Sequence, residues 1–129
     1  MRLLLDTHIF LWAVAGSPKL KPASRRLINS ANAVYVSAAS IWEIAIKARL
    51  GKIDADPAEL AEAIATSGFI ELSVTAQHAA GVALLATHHN DPIDQFDRLL
   101  IAQALAEPLK LLTADATLLP YSDLVIAAA

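Results

Sequence analysis

The sequence predicts an α/β fold, a three-layer α/β/α sandwich around a central parallel sheet. Short apolar runs such as Leu3-Leu4-Leu5, Val34-Tyr35-Val36 and Leu124-Val125-Ile126 alternate with longer segments in which apolar residues recur at helical spacing. Runs that are apolar on consecutive residues suit strands covered on both faces, as parallel strands are. At 129 residues the chain is long enough to bury one core without staples, and 1–129 is expected to be a single domain. No repeat, linker or low-complexity tract divides it.

In order, Arg2-Leu3-Leu4-Leu5 reads as a buried strand ending at Asp6. Ile9 to Ala15 is helical, stopped by Gly16-Ser17-Pro18. A helix from Pro22 to Ala31 turns Leu27 and Ile28 inward and Arg25 and Arg26 outward. Val34 to Val36 is the second strand. Ser37 to Leu50 is an amphipathic helix with Ile41, Ile44, Ala45 and Ala48 on one face, ended by Gly51. Asp56-Pro57 opens a helix in the way proline favours at a first helical position, with Leu60 and Ile64 buried. Phe69 to Leu72 is the third strand and Ala76 to Thr87 an alanine-rich helix. His88 to Pro92 is a polar loop. Phe96 to Ala106 is an apolar helix, Lys110 to Thr113 the fourth strand, Asp115 to Leu119 a short helical turn, and Leu124 to Ile126 the last strand.

Composition excludes several classes. Hydrophobic residues make up 56% and mean hydropathy is +0.48, yet no apolar run reaches the ~18 residues of a membrane span. Asp6 and His8 interrupt the N-terminal apolar run too early for a signal peptide. The surplus apolar surface is expected to meet protein, through self-association or a partner helix. The absence of cysteine rules out disulfides and thiolate zinc sites and makes cytoplasmic residence the expectation. A net charge of −3 argues against indiscriminate nucleic-acid binding, although Lys19, Lys21, Arg25, Arg26, Lys47, Arg49 and Lys52 all fall in the first half. Those cations suit either a phosphodiester-binding flank or ordinary solvated helix faces.

Four carboxylates carry the chemistry: Asp6, Glu43, Asp97 and Asp115. Each lies just beyond a strand or in the first turns of a helix. Ligands of open parallel sheets bind beyond the carboxyl ends of the strands, where strand order reverses. Acids gathered there repel one another unless a cation holds them, and an oxygen-only set suits Mg²⁺ or Mn²⁺. Taken singly, each has a plainer reading. Asp6 and Asp115 fit as helix N-caps, Glu43 as the capping-box partner of Ser40 or the ion-pair partner of Lys47, and Asp97 as a complement to a helix dipole. It is their joint placement that favours a site.

The segments Leu3-Leu4-Leu5-Asp6-Thr7-His8 with Leu11-Trp12, Ser40-Ile41-Trp42-Glu43-Ile44-Ala45-Ile46-Lys47 with Gly51-Lys52, and Phe96-Asp97-Arg98-Leu99-Leu100-Ile101-Ala102-Gln103-Ala104 with Thr113-Ala114-Asp115 occur in that order across nearly the whole chain. This ordered set resembles the PIN-domain family and, within it, the VapC-type toxin ribonucleases. The resemblance implies a PIN-like fold and a Mg²⁺- or Mn²⁺-dependent endoribonuclease acting on single-stranded RNA. It also implies a homodimer inhibited by a cognate antitoxin. It casts Asp6 and Asp97 as the firmest metal ligands, Glu43 as a ligand or water-orienting group, and Asp115 as acting directly or through water. Thr7, Ser40 and Thr113 have hydroxyls suited to holding the acids, and capping or turn roles suit them equally. Arg98, or one of Lys47, Arg49 and Lys52, would position phosphates.

One departure concerns the segment before the Leu-Leu-Ile-Ala-Gln-Ala helix, here His89-Asn90-Asp91-Pro92-Ile93-Asp94-Gln95-Phe96-Asp97-Arg98, about a helical turn longer than the family pattern. Matching from the left selects Asp94, and matching from the right selects Asp97. Helix register relative to Leu100, Ile101 and Gln103 favours Asp97, leaving Asp94 one turn earlier as a cap. His8, His88 and His89 lack zinc-site spacing and read as solvated. Trp12 and Trp42 read as core or interface anchors, with base stacking open to either if exposed. The implied reaction is hydrolysis of an RNA phosphodiester by a metal-activated water. Two competing readings are a PIN-like binding module without catalysis and a phosphoaspartyl signalling domain. The latter lacks an Asp-x-Asp start after the first strand and an acid after the third.

Overall fold

A computed structural model describes residues 1–85 and 94–128. Five strands, β1 (Arg2–Leu5), β2 (Ala33–Ser37), β3 (Ile70–Leu72), β4 (Lys110–Thr113) and β5 (Val125–Ala127), form one sheet in the order β3-β2-β1-β4-β5. Every neighbouring pair is parallel, with Leu4 opposite Tyr35 on one side and Leu111 on the other. The strands are short, three to five residues each. Leu3, Leu4 and Leu5 are fully buried.

Alternation along β1 divides the core in two. Leu3 and Leu5 face a cluster containing Ile9 and Phe10 of helix α1 (Thr7–Ala15), Ile28 of α2 (Pro22–Ser30), Ile44 of α3 (Ala38–Arg49) and Ile64 of α4 (Pro57–Thr66). Leu4 faces the opposite cluster, with Leu100, Ile101 and Ala104 of α6 (Gln95–Ala106) and Leu118. Helices thus cover both faces, which is the expected three-layer sandwich. Gly16 ends α1 at φ 62°, a left-handed conformation that favours glycine. None of the described helices is long and apolar enough to cross a membrane.

Most elements start and stop within two residues of the sequence expectation, and two do not match it. The helix expected over Ala76–Thr87 is α-helical only as α5 (Ala76–Gly81), continuing as a 3₁₀ turn over Val82–Leu84. Gly81 and β-branched Val82 weaken the α conformation there. Thr87 and the loop His88–Pro92 lie outside the described residues. What fixes α5 is its start. Thr75 and His78 form a capping box, and buried His78 sets Nε2 2.5 Å from Glu107 just beyond α6. The turn expected over Asp115–Leu119 is a 3₁₀ segment, Ala116–Tyr121, that runs through Pro120.

Candidate active site

The strand order places β1 and β4 at the point where the chain reverses direction across the sheet. Asp6 leaves β1 there, its backbone N–H donating to Leu112 O of β4 at 3.0 Å. The residue is 5% exposed. Oδ1 caps α1 by accepting from Ile9 N at 2.8 Å, and Oδ2 accepts from Thr113 Oγ1 at 2.5 Å and Ala114 N at 2.9 Å. The cap and the site are therefore one residue, and the plain and functional readings of Asp6 both hold. A carboxylate has about four acceptor directions. Three are taken, which leaves one on Oδ1 for a ligand. Burial lifts the Asp6 carboxyl above its ordinary range. The hydrogen bonds from Thr113, Ile9 and Ala114, and the charge of His8, pull against that rise.

Glu43 enters from α3, 4% exposed, with both oxygens engaged. Oε1 accepts from Thr7 Oγ1 at 2.6 Å, and Lys47 Nζ, one turn on, reaches Oε2 at 2.5 Å. With the single Thr7 proton on Glu43, the Ser40 hydroxyl 3.0 Å away donates to Thr7. Ser40 does not cap α3. That role falls to Ser37, which accepts from Ala39 N at 3.0 Å. The bond to Glu43 is the main reason the Lys47 amine is raised above its usual value.

Asp115 follows β4. Its N–H donates to Thr113 Oγ1 at 3.0 Å, so one buried hydroxyl joins it to Asp6. Its Oδ1 caps the 3₁₀ turn through Thr117 N at 3.0 Å. Asp97 lies in the first turn of α6, which Asp94 caps by accepting from Asp97 N at 2.9 Å. Among the described residues no donor meets the Asp97 carboxylate. Burial first, then repulsion from Asp94, Asp6, Glu43 and Asp115, push its pKa up to about 7. All four other acids act on this one group, which is the electrostatic signature of a shared cleft.

That cleft, about 450 Å³, is lined by Asp6, Thr7, His8, Trp12, Glu43, Asp94, Asp97, Ala114 and Asp115. The structure thus brings together all four acids singled out in the sequence and adds Asp94, His8 and Trp12. The signal for the last two was available: they follow Asp6 at i+2 and i+6 on one helix. No Lys or Arg lines the cleft among the described residues. The Arg98 guanidinium lies 6.0 Å over the Tyr121 ring, and Arg25 bonds to the carbonyls of Leu20 and Ser17. A larger cavity, about 590 Å³ between α1 and α4, is lined mainly by apolar side chains and holds none of the four acids.

An oxygen-only donor set with a surplus of negative charge fits a hard divalent cation. No three Asp, Glu or His among the described residues stand close enough to enclose an ion unaided. Mg²⁺ tolerates this, since it keeps several waters and takes only one or two carboxylates. Asp6, with one open direction, and Asp97, with no donor among the described residues, would hold it. Glu43, already neutralised by Lys47, would orient water.

The PIN domain family model matches residues 3–122. No curated protein matches the sequence. Among solved structures, a chain of VapBC2 from Rickettsia felis, bound to a DNA fragment from its promoter, superposes with a TM-score of 0.73 at 18% identity, over 100% of each chain. FitAcB from Neisseria gonorrhoeae gives 0.65 at 21% identity, over 98% of this chain and 96% of that one. VapC20 of Mycobacterium tuberculosis, a sarcin-ricin loop cleaving toxin, gives 0.57 at 18% over 88% and 90%. These likenesses are of fold. The family match spans β1 to the 3₁₀ turn beyond β4 and takes in every acid of the cleft, so the chain belongs to the PIN domain family.

Proposed function

We propose that this protein is a toxin of the VapC type, a Mg²⁺- or Mn²⁺-dependent endoribonuclease that hydrolyses single-stranded RNA and is inhibited by a cognate antitoxin. The observation that carries the reading is the convergence of Asp6, Glu43, Asp94, Asp97 and Asp115 on one cleft, with the pKa of Asp97 pushed up to about 7 by burial and by the neighbouring acids. Several structures of like fold are toxin–antitoxin complexes, and one is an RNA-cleaving toxin, which supports the same reading.

The cation supplies Lewis acidity, lowering the pKa of water and neutralising charge on the phosphoryl oxygens. The chain's own residues do the positioning. Thr113 and the Ala114 N–H fix Asp6 so that its open direction faces one way. Thr7, steadied by Ser40, and Lys47 fix Glu43. Asp97, with its pKa raised to about 7, would give up its proton on holding a cation. Purified protein freed of antitoxin should cut single-stranded RNA with Mg²⁺ or Mn²⁺ and stop on adding EDTA. Undiminished cleavage in EDTA would exclude the metal mechanism.

The partners follow from the apolar surface. Trp42 and Ile46 of α3 and its C-cap Leu50 recur at four-residue spacing, with Trp42 55% and Leu50 62% exposed, which supports a homodimer. The groove between α1 and α4, with Leu11, Val14 and Leu60 in its wall, supports an antitoxin helix. Light scattering at micromolar concentration is expected to give twice 13.7 kDa. A mass of one chain refutes the dimer.

A further inference from the structure

The acids account for hydrolysis but not for how the substrate is held. They are anions facing a polyanion, and contacts at the phosphate carry no information about the base. Sequence-tolerant grip on single-stranded RNA comes instead from stacking of unpaired bases on aromatic rings, and discrimination comes from hydrogen bonds to base edges. We propose that His8 and Trp12 form a nucleobase subsite at the mouth of the acid cleft, taking an unpaired base beside the phosphate that is cut. This rests on the ribonuclease reading and names the part of the substrate that the carboxylates leave unread.

The two side chains are one turn apart on α1, so they stand on the same face of the helix. Both line the cleft with Asp6, Glu43 and Asp97. Their ring centroids are 6.1 Å apart and the planes are inclined at 49°, a wedge in which neither ring covers the face of the other. Trp12 is only partly exposed, and its body packs against the cluster containing Leu3, Ile9 and Phe10. A ring anchored in this way loses little freedom when a base stacks on it. His8 is exposed in the first turn of α1, and no hydrogen bond engages its ring among the described residues. The fold does not depend on it. Its two ring nitrogens are open to hydrogen bonding with a base edge.

Trp12 also lines the apolar cavity between α1 and α4. It is the residue at which the charged cleft and the apolar groove meet, so a base stacked there leaves its phosphate among the acids. Trp42 is the more exposed indole, yet it does not line the cleft. Its ring packs edge-on against Phe96 at 5.0 Å, and it heads the α3 stripe. Exposure alone does not make a base platform, and position relative to the acids separates the two tryptophans.

Two measurements test the subsite. In the Trp42→Phe protein the remaining indole is Trp12, and its fluorescence should be quenched by a mixed-sequence single-stranded heptaribonucleotide, with Ca²⁺ in place of Mg²⁺. His8→Ala, which touches no core contact, should weaken that binding several-fold. In steady-state kinetics on an oligonucleotide taken from a site the protein cuts in denatured RNA, Trp12→Ala should raise KM about tenfold or more. Its kcat should change little, and Trp12→Phe should restore most of the loss. Removing the base at the contacted position should abolish the difference between wild type and Trp12→Ala. No quenching overturns the subsite, as does an equal loss on base-bearing and abasic RNA. Unchanged RNA kinetics with weakened antitoxin binding would make Trp12 a protein-contact residue instead. Failure of the wild type to cut any RNA defeats the ribonuclease reading by itself, and the quenching experiment still decides whether His8 and Trp12 take a base.

Discussion

Asp6→Asn is expected to lower RNA cleavage by about a thousandfold, because a lost ligand charge removes several kcal/mol of stabilisation from the reacting phosphate. Shape is preserved, but hydrogen bonding is not. The carboxylate accepts from Ile9 N on one oxygen and from Thr113 and Ala114 on the other. An amide has one acceptor oxygen, so one of these sets faces an NH₂ group, a fault of about 1–3 kcal/mol when buried. Against it stands relief of a buried anion whose proton affinity is raised by burial. The two effects oppose, and thermal unfolding should move by only a few degrees while activity collapses. Single-turnover cleavage and a melting curve on the same preparation check both halves. An active Asp6→Asn protein would remove Asp6 from the metal site.

The second large effect is on stability. Asp97 holds its proton to about pH 7 in the folded chain, against an ordinary value of 3.8, and Asp6 is shifted in the same direction. Between those two values the folded state binds a proton that the unfolded state does not, so stability falls as pH rises. The contribution is fully present below about 4 and is lost as pH passes the folded value near 7. Asp97 retains access to water, which screens part of the repulsion. In EDTA the midpoint of thermal unfolding should therefore drop by roughly 5 °C between about pH 5 and pH 8. Mg²⁺ should reverse the drop by binding the folded state alone. Asp97→Asn should flatten the slope and melt higher than wild type above neutral pH. A wild-type midpoint that rises over this interval would contradict the charge surplus.

Much of the arrangement was legible because it follows from local pattern. Leu3-Leu4-Leu5 reads as a strand buried on both sides, and it is one. The positions of Asp6 and Asp115 after apolar runs place both at the carboxyl edge of the sheet, and the β3-β2-β1-β4-β5 order sets their strands side by side at the reversal. What escaped was decided by contacts remote in sequence. Ser40 and Glu43 have the spacing of a capping box. Thr7, 33 residues from Ser40, instead takes both side chains inward, and Ser37 caps α3. Arg98 follows an acid of the cleft, yet its guanidinium lies over Tyr121 from another element. Asp94 caps its helix as its position suggests. That it also lines the cleft depends on how α6 docks, which spacing does not reveal. The helix expected to reach Thr87 leaves the α form after Gly81, where the propensities of Gly81 and Val82 outweigh an alanine-rich pattern.

The Asp97 carboxylate, which meets no donor among the described residues and has four acids pressing on it, has a consequence at the level of inheritance. Most substitutions destabilise a protein, so an allele inactivated away from the catalytic groups is commonly a poorer folder as well. On the toxin reading proposed above, the group that opposes folding in the absence of a cation is also one that the reaction needs. A lineage that replaces Asp97 by a neutral residue would then exchange a harmful activity for a chain that folds as well without metal. The easiest escape would lie at the centre of the cleft, and retention of that acid would have to be enforced by something other than the stability of the chain.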